Sequence, residues 1–437
     1  MKLIQVSFKK SELEKAGTNL KTEIVAGITT FLAMAYILAV NPSILSVSGM
    51  DGGAVFTATA LSAAIATLVM GFVANLPFAL APGMGLNAFL TYTVCLTMGY
   101  SWQFALTAIF CEGIIFILLT AFNVREAIVN SIPANLKKAI SVGIGMFVAF
   151  IGLQNAGIIV DNGSTLVGLN ISSNTAILAL IGLVITAVLV AYNVKGNILI
   201  GIIVTTIIGI PMGVTQFGGF ASMPPSLAPT FMKFNFAEVG AHFADFLIVM
   251  FTFLFVDMFD TVGTLIGCAT KAGWLKDTDT IPNCKQALFA DAVGTTVGAM
   301  LGTSTVTTFV ESSTGVVEGG RTGVTAIVTA IMFLLSLFLS PLFLSIPSAA
   351  TAPALLLVGF FMMSPVKDID FEDPTEGVPA FLCILMMICA YSISDGIMFG
   401  ILSYVILKVC TKKVKDVTPA TYVLAVLFIA KIIVNNI

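Results

Sequence analysis

From Thr22 to the carboxy terminus the sequence is a succession of apolar runs, each closed by polar residues or by Gly and Pro. They fall near 22–41, 53–75, 82–99, 102–122, 136–158, 174–193, 197–214, 241–267, 285–303, 305–320, 322–345, 350–364, 376–392, 394–410 and 418–435. About 20 apolar residues cross the hydrocarbon of a bilayer as a helix, and backbone in hydrocarbon must satisfy its own polar groups. The weaker period-two pattern of barrel strands is absent. A content of 58% hydrophobic and 10% charged residues therefore places the chain with polytopic helical membrane proteins rather than soluble enzymes. The bilayer is its first partner. A net charge of −3 with no run of Lys or Arg argues against nucleic acid. The seven Cys lack CxxC spacing and read as small apolar residues, not as metal ligands or disulfides. The first 22 residues are polar and Lys-rich, without the apolar core of a signal peptide.

Lys and Arg give the orientation. The tail carries Lys2, Lys9, Lys10, Lys15 and Lys21, and the loops on its side hold Arg125, Lys137, Lys138, Lys195, Lys271, Lys276, Arg321 and Lys367. The longest opposite loop, 215–240, holds only Lys233. This alternation predicts a cytoplasmic amino terminus. At the other end, Lys408, Lys412, Lys413 and Lys415 suit the same side after a fourteenth crossing, which leaves 418–435 as an extra run or makes 376–410 a re-entrant hairpin.

Two runs, 82–99 and 305–320, are short, begin in Gly, Pro, Thr or Ser, and stand third in each half. A half of seven spans ends on the opposite side, so the second half enters inverted. Paired broken helices in an inverted repeat point to the binding site of a transporter. In the first, Pro82, Gly83 and Gly85 predict an extended stretch turning into a half-helix that carries Asn87. In the second, β-branched residues predict a strand over Thr307 to Val310, and Ser312 and Ser313 open a half-helix. Free backbone N–H groups of both half-helices should face one cavity.

A carboxylate at mid-span costs roughly 2.5 to 3.5 kcal/mol on insertion scales, so each one needs a reason. Asp257 and Asp260 share a helical stripe with Thr264, and Glu311 and Glu318 lie seven apart on the second broken run. Two carboxyls close together in low dielectric cannot both ionise cheaply, which suits a group that takes up and releases a proton. Asp257 either works in that way or pairs with a helix-lining hydroxyl as structural glue. Glu318, near Arg321, reads as half of an ion pair at the cytoplasmic end; Asp291 joins either a polar network or the site; His242 sits at a span's outer start. Phe259 or Phe309 could stack on a ring. A planar heterocycle would donate its N–H groups to Glu311 and Asp260.

The segments "TEIVAGITTFLAMAYILAVNP", "APGMGLNAF", "FVDMFDTVGTLIG" and "TFVESSTGVVEGGRTG" resemble, in order, the signature segments of the hypoxanthine/adenine/guanine permease branch of the nucleobase-ascorbate transporter superfamily. The resemblance implies an all-α polytopic fold with a seven-plus-seven inverted repeat and short strands and half-helices in segments 3 and 10. It implies a tail over 1–21, a core domain over 22–122 (segments 1–4) and 241–345 (segments 8–11), and a gate domain over 136–214 (segments 5–7) and 350–437 (segments 12–14).

It also implies a proton-coupled importer of purine nucleobases in the cytoplasmic membrane. The core would move against the gate like an elevator, and such proteins often work as dimers, here through the gate domain. The positions carried over are Gly85, Asn87, Asp257, Asp260 and Glu311; with Phe259 and Ser312 added from the residues themselves, the expected substrate set is Gly85, Asn87, Phe259, Asp260, Glu311 and Ser312, with Asp257, Asp260 and Glu311 coupling the proton. No cofactor and no enzymatic activity is implied. Uracil and xanthine relatives have Glu and a following His where Asp260 and Thr264 stand here, which favours the purine branch. An anion carrier of this fold would not want an acidic site. An intramembrane aspartyl protease would put its Asp residues on separate helices, one in GxGD, and that motif is absent.

Overall fold

A computed structural model describes residue 6 and residues 9–121, 133–274 and 281–435. Helix α1 (Leu20–Met34) opens on Asn19, whose side chain accepts from Thr22 N at 3.0 Å, and stops at Ala35 and Tyr36 before α2 (Ile37–Leu45). Helix α3 (Gly52–Val69) opens on the Asp51 carboxylate and ends in π-helical turns, Met70–Ala74. The chain continues through β1 (Leu80–Pro82), α4 (Met84–Ala88) with π-helical turns over Phe89–Thr97, and α5 (Trp102–Ala121). Next come α6 (Ala134–Asn155), the hairpin β2 (Ile159–Asn162) and β3 (Leu166–Leu169), α7 (Asn174–Ala191) and α8 (Asn197–Gly209). After a short helix, Phe236–Ala241, follow α9 (Phe243–Lys271), α10 (Cys284–Leu301), β4 (Val306–Thr308), α11 (Ser312–Val317) and α12 (Gly323–Ser336). The last four are α13 (Ser348–Met362), α14 (Pro374–Cys389), α15 (Ile393–Cys410) and α16 (Pro419–Asn435).

Every apolar run thus becomes helix or broken helix, and among the described residues seven helical stretches are long and apolar enough to cross a membrane. The final run folds as α16, 17 residues long, just short of the about 20 that span a bilayer. The chain is an all-α polytopic membrane protein whose short intramembrane strands come from segments 3 and 10, with β1 and β4 pairing antiparallel.

The described residues fall into two compact units. One holds the chain up to Ala121 with Gly152–Ala354, and the other holds residues 133–151 and the chain from Leu355 onward. In the first unit a Cβ on Gly71 would meet the Gly323 carbonyl oxygen at 2.8 Å, so only glycine lets the end of α3 touch the start of α12. In the second, a Cβ on Gly145 would meet the Gly359 carbonyl oxygen at 2.8 Å, which brings α6 equally close to α13.

The two halves repeat each other's devices. Glu23, 0% exposed on α1, accepts from the N–H groups of Arg321 (2.8 Å), Thr322 (3.2 Å) and Thr325 (3.0 Å), and from the Thr325 hydroxyl (2.6 Å). A carboxylate from the start of segment 1 therefore holds the opening amides of segment 11. On the short helix ahead of segment 8, Glu238 does the same for segment 4, accepting from Ser101 N at 3.2 Å and from the Ser101 hydroxyl.

Candidate functional site

The site is built around a two-stranded crossing. Leu80 pairs with Thr308, Ala81 with Thr307, and Pro82 with Val306. Pro82 has no N–H to give, and the ladder passes to Gly83, whose N–H donates to the Thr305 carbonyl at 3.0 Å. Gly83 is extended (φ −73°, ψ 131°) and turns the strand into α4. At the other end Phe309 N donates to the Ala79 carbonyl at 3.0 Å, and the chain turns through Glu311 into α11.

A two-stranded ribbon has two open edges, and in a bilayer those edges must be satisfied internally. Thr67 of α3 serves one, its hydroxyl accepting from Leu80 N at 2.9 Å and lying 3.2 Å from the Leu80 carbonyl. Thr295 of α10 serves the other, donating to the Val306 carbonyl at 3.2 Å. The Ser312 hydroxyl accepts from Ala79 N at 2.9 Å. That serine of the expected substrate set is thus engaged with the backbone leading into β1.

Three carboxylates of the expected site come together, at different depths. Asp260 Oδ2 accepts from the Thr307 hydroxyl of β4 at 3.2 Å, and Glu311 Oε1 accepts from the Tyr36 phenol at 2.6 Å. Both are partly exposed, and Asp260 lies within electrostatic reach of Glu311 and Asp291. Asp257 is 0% exposed, as is Asp291. The Thr261 hydroxyl stands between these two, 2.6 Å from Asp291 Oδ1 and 3.4 Å from Asp257 Oδ1, and its one proton goes to the nearer. Asp260 and Glu311 thus keep some exposed surface, whereas Asp257 has none.

On the first broken segment, Gly85 and Asn87 are buried in α4. The Asn87 side-chain Oδ1 accepts from the Ser304 hydroxyl, and its Nδ2 has no hydrogen-bond partner among the described residues. The side chain of Phe259 lies outside the described residues. Phe309 is buried beside the crossing, its carbonyl 4.0 Å from the Cys268 thiol.

Three expectations change. The opening amides of α11 are not free: Ser312, Ser313 and Thr314 N donate to the carbonyls of Phe309 (3.1 Å), Val310 (2.9 Å) and Glu311 (2.9 Å). Glu311 itself adopts helical angles (φ −60°, ψ −19°), which tightens this turn and uses its donors internally. Glu318 forms an ion pair, but with Lys195 at 2.5 Å rather than with Arg321, whose guanidinium donates to the carbonyls of Val316 and Gly320. The strand is also shorter than read, Val306–Thr308, because Phe309 already turns toward α11.

Sequence reasoning missed Tyr36, Thr261, Thr305, Thr307 and Glu112. Tyr36 was findable as a phenol inside an apolar run in a chain with 34 Phe and 7 Tyr. Glu112 was findable by the mid-span carboxylate rule, since it interrupts "AIFCEGIIF". The Thr residues gave no signal, because hydroxyls bonding to their own helix are common in membrane spans.

Residues 21–399 match the Permease family, Xan_ur_permease. The chain belongs to this family of permeases. This permease is 44% identical to the adenine permease AdeP of Escherichia coli, over 97% of this chain and 95% of that one. It is 45% identical to the guanine/hypoxanthine permease PbuG of Bacillus subtilis, over 96% and 97%. Its relatives are thus transporters of the nucleobase-ascorbate family rather than enzymes. Among solved structures, the transmembrane domain of the cyanobacterial bicarbonate transporter BicA superposes with a TM-score of 0.65 at 14% identity, covering 87% of this chain and 97% of that one. That likeness fixes the fold alone.

Proposed function

We propose that this permease is a proton-coupled symporter that imports purine nucleobases. The observation that carries the reading is the pair of partly exposed carboxylates, Asp260 held by Thr307 at the middle of the crossing and Glu311 held by Tyr36 just past its end. Purines present ring and exocyclic N–H donors along one edge, and two carboxylates that each keep one oxygen bound to the protein still have lone pairs to accept them. AdeP and PbuG, whose names give adenine and guanine/hypoxanthine, supply the substrate class. An acidic site disfavours an anion as cargo.

In this reading Glu311 accepts N–H bonds from the base, and Asp260 is shared between base and proton. Asn87 contributes from the other half-helix through its spare Nδ2, beside Gly85, and Phe259 stacks on the ring. Ser312 holds the crossing closed from behind, and Asp257 stands as the reserve proton site through Thr261 and Asp291. No cofactor takes part and H⁺ is the coupling ion. Filling the site with base and proton together removes charge, which lowers the cost of carrying it through a low-dielectric barrier. The core segments then move against the gate segments as an elevator. The amino terminus lies in the cytoplasm, and two copies associate through the gate.

The test is uptake of labelled adenine, guanine, hypoxanthine and uracil by the full-length chain in liposomes, with an inward proton gradient, with a protonophore, and in Glu311→Ala. Purine uptake should collapse under protonophore and in the variant. Uptake indifferent to both would sink the mechanism, and a preference for uracil would sink the substrate class.

A further inference from the structure

Three consecutive hydroxyl residues lead into β4, and each is taken by a different segment. The Thr303 hydroxyl accepts from Asn41 Nδ2 of α2 at 2.8 Å, and the Ser304 hydroxyl donates to Asn87 Oδ1 of α4. The Thr305 hydroxyl donates to Glu112 Oε2 of α5 at 3.0 Å. All six side chains are 0% exposed. Two of the three partners are carboxamides, which hold a hydroxyl without charge. At the third place a glutamine could also accept from Thr305, and would avoid the cost of a carboxyl in a span. What the carboxyl adds is the capacity to bind a proton. Its position gives that capacity something to act on, because the Thr305 carbonyl receives the Gly83 N–H at 3.0 Å, the bond that joins the strand pair to the opening of α4.

We propose that Glu112 is a proton-binding residue separate from Asp260 and Glu311, and that its charge state positions the strand crossing through Thr305. Ionised, Glu112 accepts the Thr305 hydroxyl proton. When a proton from water binds the carboxylate, one oxygen becomes a donor, and the Thr305 hydroxyl can turn from donor to acceptor. The proton returns to water when the carboxyl ionises again, so each cycle binds and releases one proton. The titratable side chains described on the elements packed against α5 are Asp245, Asp257, Asp260 and Cys268 of α9, Cys284, Lys285 and Asp291 of α10, Tyr92 and Cys95 of the π-helical turns, and Glu238 of the short helix. The transport role of this residue rests on the proton-coupled reading above, whereas proton binding itself does not.

The experiment is infrared difference spectroscopy of the purified full-length chain in lipid, acid minus neutral pH, without purine. A protonated-carboxyl band should appear with acid and be absent in Glu112→Gln. Thr305→Val, which leaves the carboxyl in place, should keep the band and move its midpoint by about one pH unit, the equivalent of one lost hydrogen bond. If Glu112→Gln does not fold, the Thr305→Val shift carries the test. A band spectrum unchanged by Glu112→Gln, or a midpoint unmoved by Thr305→Val, overturns the proposal. Because no purine is present, failure of wild type to bind purines would sink the substrate reading and leave this result standing.

Discussion

The Tyr36 phenol donates to Glu311 Oε1 at 2.6 Å, joining the break in segment 1 to the turn that opens the half-helix of segment 10, 275 residues away. Tyr36 is 1% exposed and sits where α1 stops and α2 begins, so the helix interruption is what aims the ring at the crossing. One oxygen of Glu311 is thereby fixed, and in the proposed reading the other accepts from the base.

Tyr36→Phe removes this donor and nothing of the ring's packing. A hydrogen bond to a charged group is worth about 1.5–3 kcal/mol, so hypoxanthine binding should weaken by roughly 10- to 100-fold. Equilibrium binding to the purified variant checks it. Affinity equal to wild type would mean that Glu311 orients itself without the phenol.

Exposure separates the carboxylates. Glu311→Gln and Asp260→Asn should each weaken purine binding by about tenfold or more, since each replaces a charged acceptor that the ligand can reach. Asp257→Asn, at a side chain that is 0% exposed, should leave the dissociation constant within about threefold while slowing gradient-driven uptake. Binding and uptake measured on the same preparations distinguish the two groups, and a large binding loss in Asp257→Asn would contradict the layered arrangement.

Glu23 is a structural acceptor. Glu23→Ala leaves the N–H groups of Arg321 and Thr322 without their acceptor, at about 1–3 kcal/mol for each orphaned group, and takes one acceptor from the Thr325 N–H and hydroxyl. The variant should fail to give a monodisperse protein in mild detergent, with a sharply lowered melting temperature where any is recovered. Glu23→Gln, which keeps an acceptor oxygen, should recover part of the loss.

The strand edges can be tested singly and together. Thr67→Val and Thr295→Val keep shape and remove the hydroxyls that serve Leu80 and Val306. Each should cost about 1–3 kcal/mol. The double variant should depart from the sum, because both edges belong to one ribbon. Thermal melts of the four proteins read the cycle.

One group at the membrane surface predicts a pH effect. Lys413 lies 2.6 Å from Asp373, the residue that opens α14, and this hydrogen bond, with those from Thr375, holds the carboxyl well below the ordinary Asp value. A depressed carboxyl contributes stability that is present above its unfolded pKa of about 3.9 and is lost as pH falls through the lower folded value. Lys413→Ala should therefore narrow the stability gap between neutral pH and pH 3, read as melting temperature against pH. The pair is exposed and the effect should be small.

How far the sequence could be read follows from the range of each interaction. Segment ends were legible because Asn19, Asp51, Ser173 and Ser392 cap helices within their own neighbourhood. The broken segments were legible because Pro82, Gly83 and the β-branched run at 305–308 act on their own backbone. The hairpin β2–β3 was not, since its strands are short, carry no alternating pattern and lie in a loop. Glu318 was given Arg321 as a partner because it is near in sequence, whereas Lys195 arrives from 123 residues away.

Hydrophobic periodicity, insertion cost and local backbone chemistry act within a segment, and for that reason the sequence alone determined the membrane class, the two interrupted segments and the carboxylates worth suspecting. Which oxygen of Glu311 is occupied, which of Asp257 and Asp260 is wholly buried, and which threonines close the ribbon's edges depend on side chains brought together from segments 1, 2, 8, 9 and 10. Those pairings are set by how the helices pack, and only the tertiary structure decides them.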